Sequence, residues 1–107
     1  MTTIAIAKDF SDVPAGRYKK DGAFSGEQFR DDLLRPRLQS SETVEVILDD
    51  VEGYGSSFLE EAFGGLVRVA GFTPDELHKK LKLVARTAPY RVYVTEIWDY
   101  IDSAKKQ

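Results

Sequence analysis

Two adjacent hydroxyls, Ser56 and Ser57, close the loop Glu52-Gly53-Tyr54-Gly55-Ser56-Ser57, which joins an apolar run ending in Asp49-Asp50 to a helical pattern. Loops that leave the C-terminal end of a strand and feed a helix are where open α/β folds bind ligands and partners. Glycines at Gly53 and Gly55 permit close backbone approach, and free amides at a helix start can hold a phosphate or carboxylate. This is not a P-loop, because no lysine precedes the serine pair and the spacing differs. Three roles stay open for the serines: a helix cap, a contact for a protein partner, or a site of reversible phosphorylation. Serine nucleophilic catalysis needs a base. The single histidine, His78, sits among lysines on a short helical stretch, where a solvated position is expected. Asp49 and Asp50 are adjacent at a strand end, so their side chains point to opposite faces and do not form a shared metal or acid–base site. No other acidic or histidine cluster has ligand spacing.

The elements that must position this loop are legible from periodicity. Residues Thr2 to Ala7 alternate, with Ile4 and Ile6 on one face, as in a short strand. Phe10 to Gly22 carries turn residues, and Gly16-Arg17-Tyr18-Lys19 within it reads as a second, short edge strand. Ser25 with Gln28 has capping-box spacing. Phe29, Leu33, Leu34 and Leu38 then predict a helix from about Gly26 to Gln39, kinked or ended near Arg35 by Pro36. Thr43 to Val51 reads as a central strand, and Ile47 makes its second face partly apolar, as in a strand covered on both sides.

A second helix is expected after Gly55, with Ser57 and Glu60 as a capping box and Gly71 just beyond its end. Its apolar face is Phe58, Leu59, Ala62, Phe63, Leu66, Val67 and Ala70, and Glu60 and Glu61 fall in its first turn, where the helix dipole favours negative charge. Gly64-Gly65 inside it costs about 1 kcal/mol per glycine. Either close packing on the sheet or a flat spot for a partner would offset that. Thr73-Pro74-Asp75-Glu76 opens a short third helix running to about Lys80, and Leu81, Leu83 and Val84 read as a strand. Tyr90, Val94, Ile97, Trp98 and Ile101 recur at helical spacing, so a helix is expected from about Pro89 to Ala104. The β-branched residues Val92, Val94 and Thr95 favour a strand over the same stretch. Tyr90, Tyr93, Trp98 and Tyr100 are read mostly as packing residues of that helix, with any exposed ones open to use as interface anchors. Strands separated by helices predict an α/β fold with a four- to five-stranded, mostly parallel mixed sheet and about four helices.

Composition limits the function classes. The 107 residues are expected to form a single domain spanning residues 1–107, and 42% of them are hydrophobic, enough for a core without staples. The absence of cysteine excludes disulfides, thiolate catalysis and cysteine-ligated metals. A net charge of -3 gives no electrostatic footprint for nucleic acid or an anionic membrane. Arg30, Arg35 and Arg37, with Lys19 and Lys20, are offset by Asp21, Glu27, Asp31 and Asp32, and a solvated surface is expected there. No apolar run reaches the about 18 residues of a membrane span, and MTTIAIAKDF lacks a signal-peptide pattern. A short basic tail, Lys105-Lys106-Gln107, ends the chain. The expected product is a soluble, cytoplasmic monomer or weak homo-oligomer.

The strand ending LDD, the Gly-Ser loop and the helix SSFLEEAFGGLVR resemble the STAS-like domains of unknown function, relatives of the STAS modules of sulphate transporters and anti-sigma-factor antagonists. PAGRYKKDGAFSGEQFRDDLLRP and LKLVARTAPYRVYVTEIWDYI extend the resemblance over nearly the whole chain. It implies a mixed sheet with helices, no catalytic activity, and helix rather than strand for the C-terminal segment. In the anti-sigma-factor antagonists, an Asp-Ser pair begins the helix after the central strand, and a GHKL-type serine kinase phosphorylates the serine. By that resemblance Ser57 matches the phosphorylated position and Ser56 replaces the aspartate. The expected function is a regulatory protein-interaction module, partnering a GHKL-type ATPase or kinase and switched at Ser57 or Ser56. Its partner-binding residues would be Gly53, Tyr54, Gly55, Ser56, Ser57, Glu60, Glu61 and Gly64, with no catalytic residue, metal or cofactor. The alternative is an anion- or nucleotide-binding domain that uses the same Gly53–Ser57 loop.

Overall fold

The computed structural model describes residues 2–40 and 43–105. The basic tail expected at the C-terminus lies outside them beyond Lys105. Three strands, β1 (Thr2–Ala5), β2 (Val44–Ile47) and β3 (Leu81–Val84), form one parallel sheet in that order. Ile4, Val46 and Leu83 lie in register across it, as do Ala5, Ile47 and Val84. Right-handed crossovers that advance in one direction across a sheet put their helices on one face. Burial agrees: Ile4, Val44, Val46 and Leu81 are buried, while Thr3 and Lys82 on the opposite face are exposed. Ile47 is only half-buried. One face is sealed, not the two that its apolar side chain suggested.

Helix α1 covers residues 26–40 and α2 residues 56–68; α3 is Pro74–Lys80 and α4 is Ala88–Ser103. The periodic apolar residues thus settle residues 90–95 as helix, because Ile97 and Ile101 are driven into the core one turn apart. α1 starts where expected: Ser25 is buried and its hydroxyl accepts from the Gln28 amide at 3.1 Å. It does not stop at Pro36. The turn Arg30–Leu34 is widened, with the Arg35 amide donating to the Arg30 carbonyl five residues back. Such a wide turn relieves the ladder around a residue that has no amide to offer, and the helix continues to Ser40. α3 opens on the expected capping box, with Thr73 Oγ1 accepting from the Glu76 amide at 3.1 Å and Glu76 Oε1 from the Thr73 amide at 2.9 Å.

The predicted edge strand Gly16–Lys19 does not form, so the sheet has three strands among the described residues rather than four or five. The carbonyls of Gly16 and Arg17 accept instead from the amides of Gly26 and Glu27, at 2.9 and 3.0 Å. Those amides open α1 and have no partner within it. Tyr18 to Asp21 then closes as a tight turn, with the Tyr18 amide on Asp21 Oδ2 at 3.0 Å. The first strand is also shorter than expected, since Ile6–Phe10 curls into a helical turn. Asp9 favours the curl by accepting from the Ala5 amide at 2.8 Å.

Candidate functional site

The loop from β2 to α2 is braced at its start by Asp49. This buried carboxylate accepts from the Arg86 amide at 2.9 Å, the Thr87 amide at 2.9 Å and the Thr87 hydroxyl at 2.8 Å. Burial pushes its pKa up, but the hydrogen bonds from Arg86 and Thr87 outweigh that, and it lies below the ordinary Asp value. Asp49 therefore ties the end of β2 to the residues that open α4, and takes no part in a carboxylate pair. Asp50 turns outward with φ 73°, a left-handed conformation that Asp tolerates better than most residues.

Tyr54 is the loop's internal anchor. Its hydroxyl donates to the Leu48 carbonyl at 2.6 Å, and its ring meets Tyr93 edge-on at 4.9 Å and stacks on Phe58 at 6.1 Å. Burial raises its phenol pKa far above the ordinary value. The Tyr90 hydroxyl donates to the Val51 carbonyl at 2.6 Å and fixes the same loop to α4. Gly53 is half-buried, and Gly55, Ser56 and Ser57 are exposed.

Gly55, not Ser57, is the N-cap of α2, and no side chain caps it. The Ser57–Glu60 capping box is absent because Ser56 already has helical geometry, which places Ser57 within the first turn. Neither serine side chain makes a hydrogen bond among the described residues. Of the three roles open for the pair, the cap is thus removed.

Glu60 and Glu61 do not simply decorate the first turn of α2. They form an ion network with three arginines. Arg30, 2% exposed, donates from Nη1 to Glu61 Oε2 at 2.6 Å and to the Glu61 carbonyl at 3.0 Å, and its Nε pairs with Asp31 at 3.0 Å. Arg68 reaches back along α2 to Glu60 at 2.6 Å and Glu61 at 3.3 Å. Arg17 pairs with Glu60 and, at 3.2 Å, with Glu61. Burial acts to raise the Glu60 pKa, but hydrogen bonds from Arg68 and Arg17 hold it below the ordinary value. The expected solvated role for Arg30 is overturned: it lies between two helices. A signal was present in the sequence. Arg30 falls four residues after Gly26 and four before Leu34, on the apolar side of α1, and Glu61 lies inside the run Phe58–Ala62.

The glycine pair is explained by this network. A Cβ on Gly65 would overlap the Arg30 guanidinium, and one on Gly64 would come within 2.6 Å of Glu60 Oε2 and 3.6 Å of the Tyr100 carbonyl. Both glycines are buried. They give room to charged groups and to α4, rather than packing on the sheet or leaving a flat spot on the surface. Gly26 has a parallel role, since a Cβ there would overlap the Phe58 carbonyl of α2.

The expected site residues therefore divide. Gly55, Ser56 and Ser57 share an exposed corner, with Gly53 beside them. Tyr54, Glu61 and Gly64 are buried, and Glu60 is half-buried in the network. His78, exposed as expected, is nevertheless engaged: its ring stacks on Trp98 at 4.2 Å and its Nε2 lies 2.8 Å from Asp102. Among the described residues no pocket opens and no group of three or more His, Asp or Glu side chains is placed to hold a metal. No helix is long and apolar enough to cross a membrane.

No curated protein and no solved structure matches the chain significantly. One family profile does, over residues 25–90, from the buried cap of α1 through the serine corner and β3 to the first turn of α4. That match covers more than half of the sequence, and the chain belongs to the family of STAS-like domains of unknown function.

Proposed function

We propose that this domain is a non-catalytic, cytoplasmic regulatory module that works by binding a protein partner at the Gly55–Ser57 corner. The observation that carries this reading is the pair of exposed, unpartnered hydroxyls on a rigidly braced helix start. Neither serine is needed to cap α2, so their exposure is free for another use. A phosphoryl group on Ser57 would place about -2 charge in the first turn of α2, where the dipole stabilises it while the surface presented to a partner changes. A GHKL-type ATPase or kinase is the partner class suggested by the resemblance to anti-sigma-factor antagonists.

Affinity capture with the wild-type chain against Ser57→Asp, read by mass spectrometry, tests this reading. A specific protein recovered by the wild type and lost by the variant is the expected result. Phosphopeptide mapping of the chain isolated from cells should show modification at Ser57 or Ser56. Equal capture by both proteins removes the serine switch. Calorimetric heat with a nucleotide or inorganic phosphate, with no protein partner present, would sink the interaction reading in favour of a ligand-binding domain.

A further inference from the structure

We infer that Arg17 is the group that receives a phosphoryl group on Ser57, leaving Glu60 and swinging to the new charge. This rests on the serine-switch reading above and adds the residue inside the domain that responds to the switch. The stretch carrying Arg17 lies against the first turn of α2. The Gly16 carbonyl accepts from the Gly26 amide at 2.9 Å, and Gly26 packs so closely on the Phe58 carbonyl that a Cβ would overlap it. Phe58 directly follows Ser57. The guanidinium reaches the same turn, since Arg17 Nη1 donates to Glu60 and, at 3.2 Å, to Glu61. Glu60 and Glu61 stand three and four residues after Ser57. By helical geometry they flank it on the next turn, about 5–6 Å away between Cβ atoms. Side chains on a helix lean towards its N-terminus, which brings both carboxylates, and the cation between them, towards Ser57. Ser56 has the same relation to Glu60 alone.

Arg17 is the replaceable member of the network. Its side chain is 31% exposed, whereas Arg30 is 2% exposed and fixed between helices. When Arg17 leaves, Glu60 keeps Arg68 at 2.6 and 3.1 Å, and Glu61 keeps Arg30 at 2.6 Å and Arg68 at 3.3 Å. No carboxylate is stranded, so release costs little. The phosphoryl group comes from a nucleoside triphosphate used by the partner kinase. The bond from Ser57 Oγ to phosphorus forms as the bond to the departing nucleoside diphosphate breaks, and the hydroxyl proton passes to the kinase's base. The product carries about -2 charge and three acceptor oxygens, and arginine pairs with phosphate through two parallel hydrogen bonds. Glu60 offers a single charge that Arg68 already shares, so the phosphate wins the competition. The Arg17 carbonyl accepts from the Glu27 amide at 3.0 Å, which holds the backbone while the side chain moves. The switch then changes the surface at Ser57 and at Glu60 together.

The test is a phosphorus NMR titration of the full chain with phosphoserine installed at position 57, in the wild-type and Arg17→Gln backgrounds. The second ionisation of a phosphoserine ordinarily falls at about 6, and a cation beside it lowers that value. The midpoint in the wild-type background should lie about half a unit or more below that in Arg17→Gln. Arg17→Lys should fall between them, since lysine keeps the charge without the fork. Phosphoserine at position 56 should show a smaller difference between the same backgrounds. Circular dichroism should show Arg17→Gln folded, because the carboxylates it leaves stay paired; if it does not fold, Arg17→Lys against wild type makes the same comparison. Equal midpoints with and without Arg17 overturn the proposal, and an equally large difference at position 56 overturns the assignment to Ser57. The capture experiment with Ser57→Asp does not involve Arg17, so the interaction reading and this one fail separately.

Discussion

Gly65→Ala adds one carbon to a helix interior, where alanine is ordinarily favoured over glycine by about 1 kcal/mol. The structure predicts the opposite sign. The added Cβ would overlap Arg30 Nη1 and lie 3.2 Å from its Cδ and 3.3 Å from its Cζ. A surface arginine would swing aside at little cost. Arg30 cannot, because it is buried and held by the Glu61 carboxylate at 2.6 Å, the Glu61 carbonyl at 3.0 Å and Asp31 at 3.0 Å. Hydrogen bonds to charged groups contribute about 1.5–3 kcal/mol each, and rupture of a buried ion pair costs about 3–5 kcal/mol. Partial loss of the pair, set against the gain in helix preference, leaves a net destabilisation of about 2–3 kcal/mol. In urea unfolding the midpoint should fall by roughly 1–2 M, and in calorimetry Tm by roughly 10–20 °C. Two controls isolate the cause. Gly53→Ala, with nothing within 4 Å of its Cβ, should be neutral or slightly stabilising. In an Arg30→Ala background Gly65→Ala should lose its penalty, since the group it strikes is gone. A Gly65→Ala protein as stable as wild type would refute the claim that Arg30 is pinned.

The two serines that resemble caps in sequence should behave differently. Ser25→Ala, which removes the acceptor of the Gln28 amide, should cost about 0.5–2 kcal/mol, while Ser57→Ala should stay within about 0.5 kcal/mol, both by urea unfolding. Asp49 and Glu60 both have folded-state pKa values below their ordinary values. Their contribution is thus fully present above the ordinary carboxylate range and is lost as pH falls through the lower folded values. Stability measured by urea unfolding from pH 7 downward should drop below the ordinary carboxylate range, and Asp49→Asn should reduce that slope. An unchanged slope in Asp49→Asn would count against the bracing role.

Element type was largely written in the sequence because it depends on local periodicity and local caps. Val44, Val46 and Leu48 alternate, Phe58 to Ala70 recurs at helical spacing, and Thr73 with Glu76 marks a helix start whatever surrounds it. Even the conflict over residues 90–95 was resolvable in principle, since the helical spacing of Ile97 and Ile101 extends the same stripe. The exposed serine corner was also legible, from a glycine-rich loop between a strand and a helix. Tertiary structure decided what happens between segments distant in the chain. Gly16 and Arg17 give their carbonyls to the first amides of α1, so no fourth strand forms. Ser57 is no cap because the helix begins one residue before it, at Ser56. Arg30 and Glu61 are 31 positions apart in sequence, and each alone looks like a surface charge. Only the close approach of α1 to α2 at Gly26 buries both, and a buried charge is tolerated only when paired. Gly64 and Gly65, unfavourable by every local rule, are the residues that leave space for that pairing. Local rules score a residue against its chain neighbours, and the groups that required these glycines belong to other helices and to the turn before them.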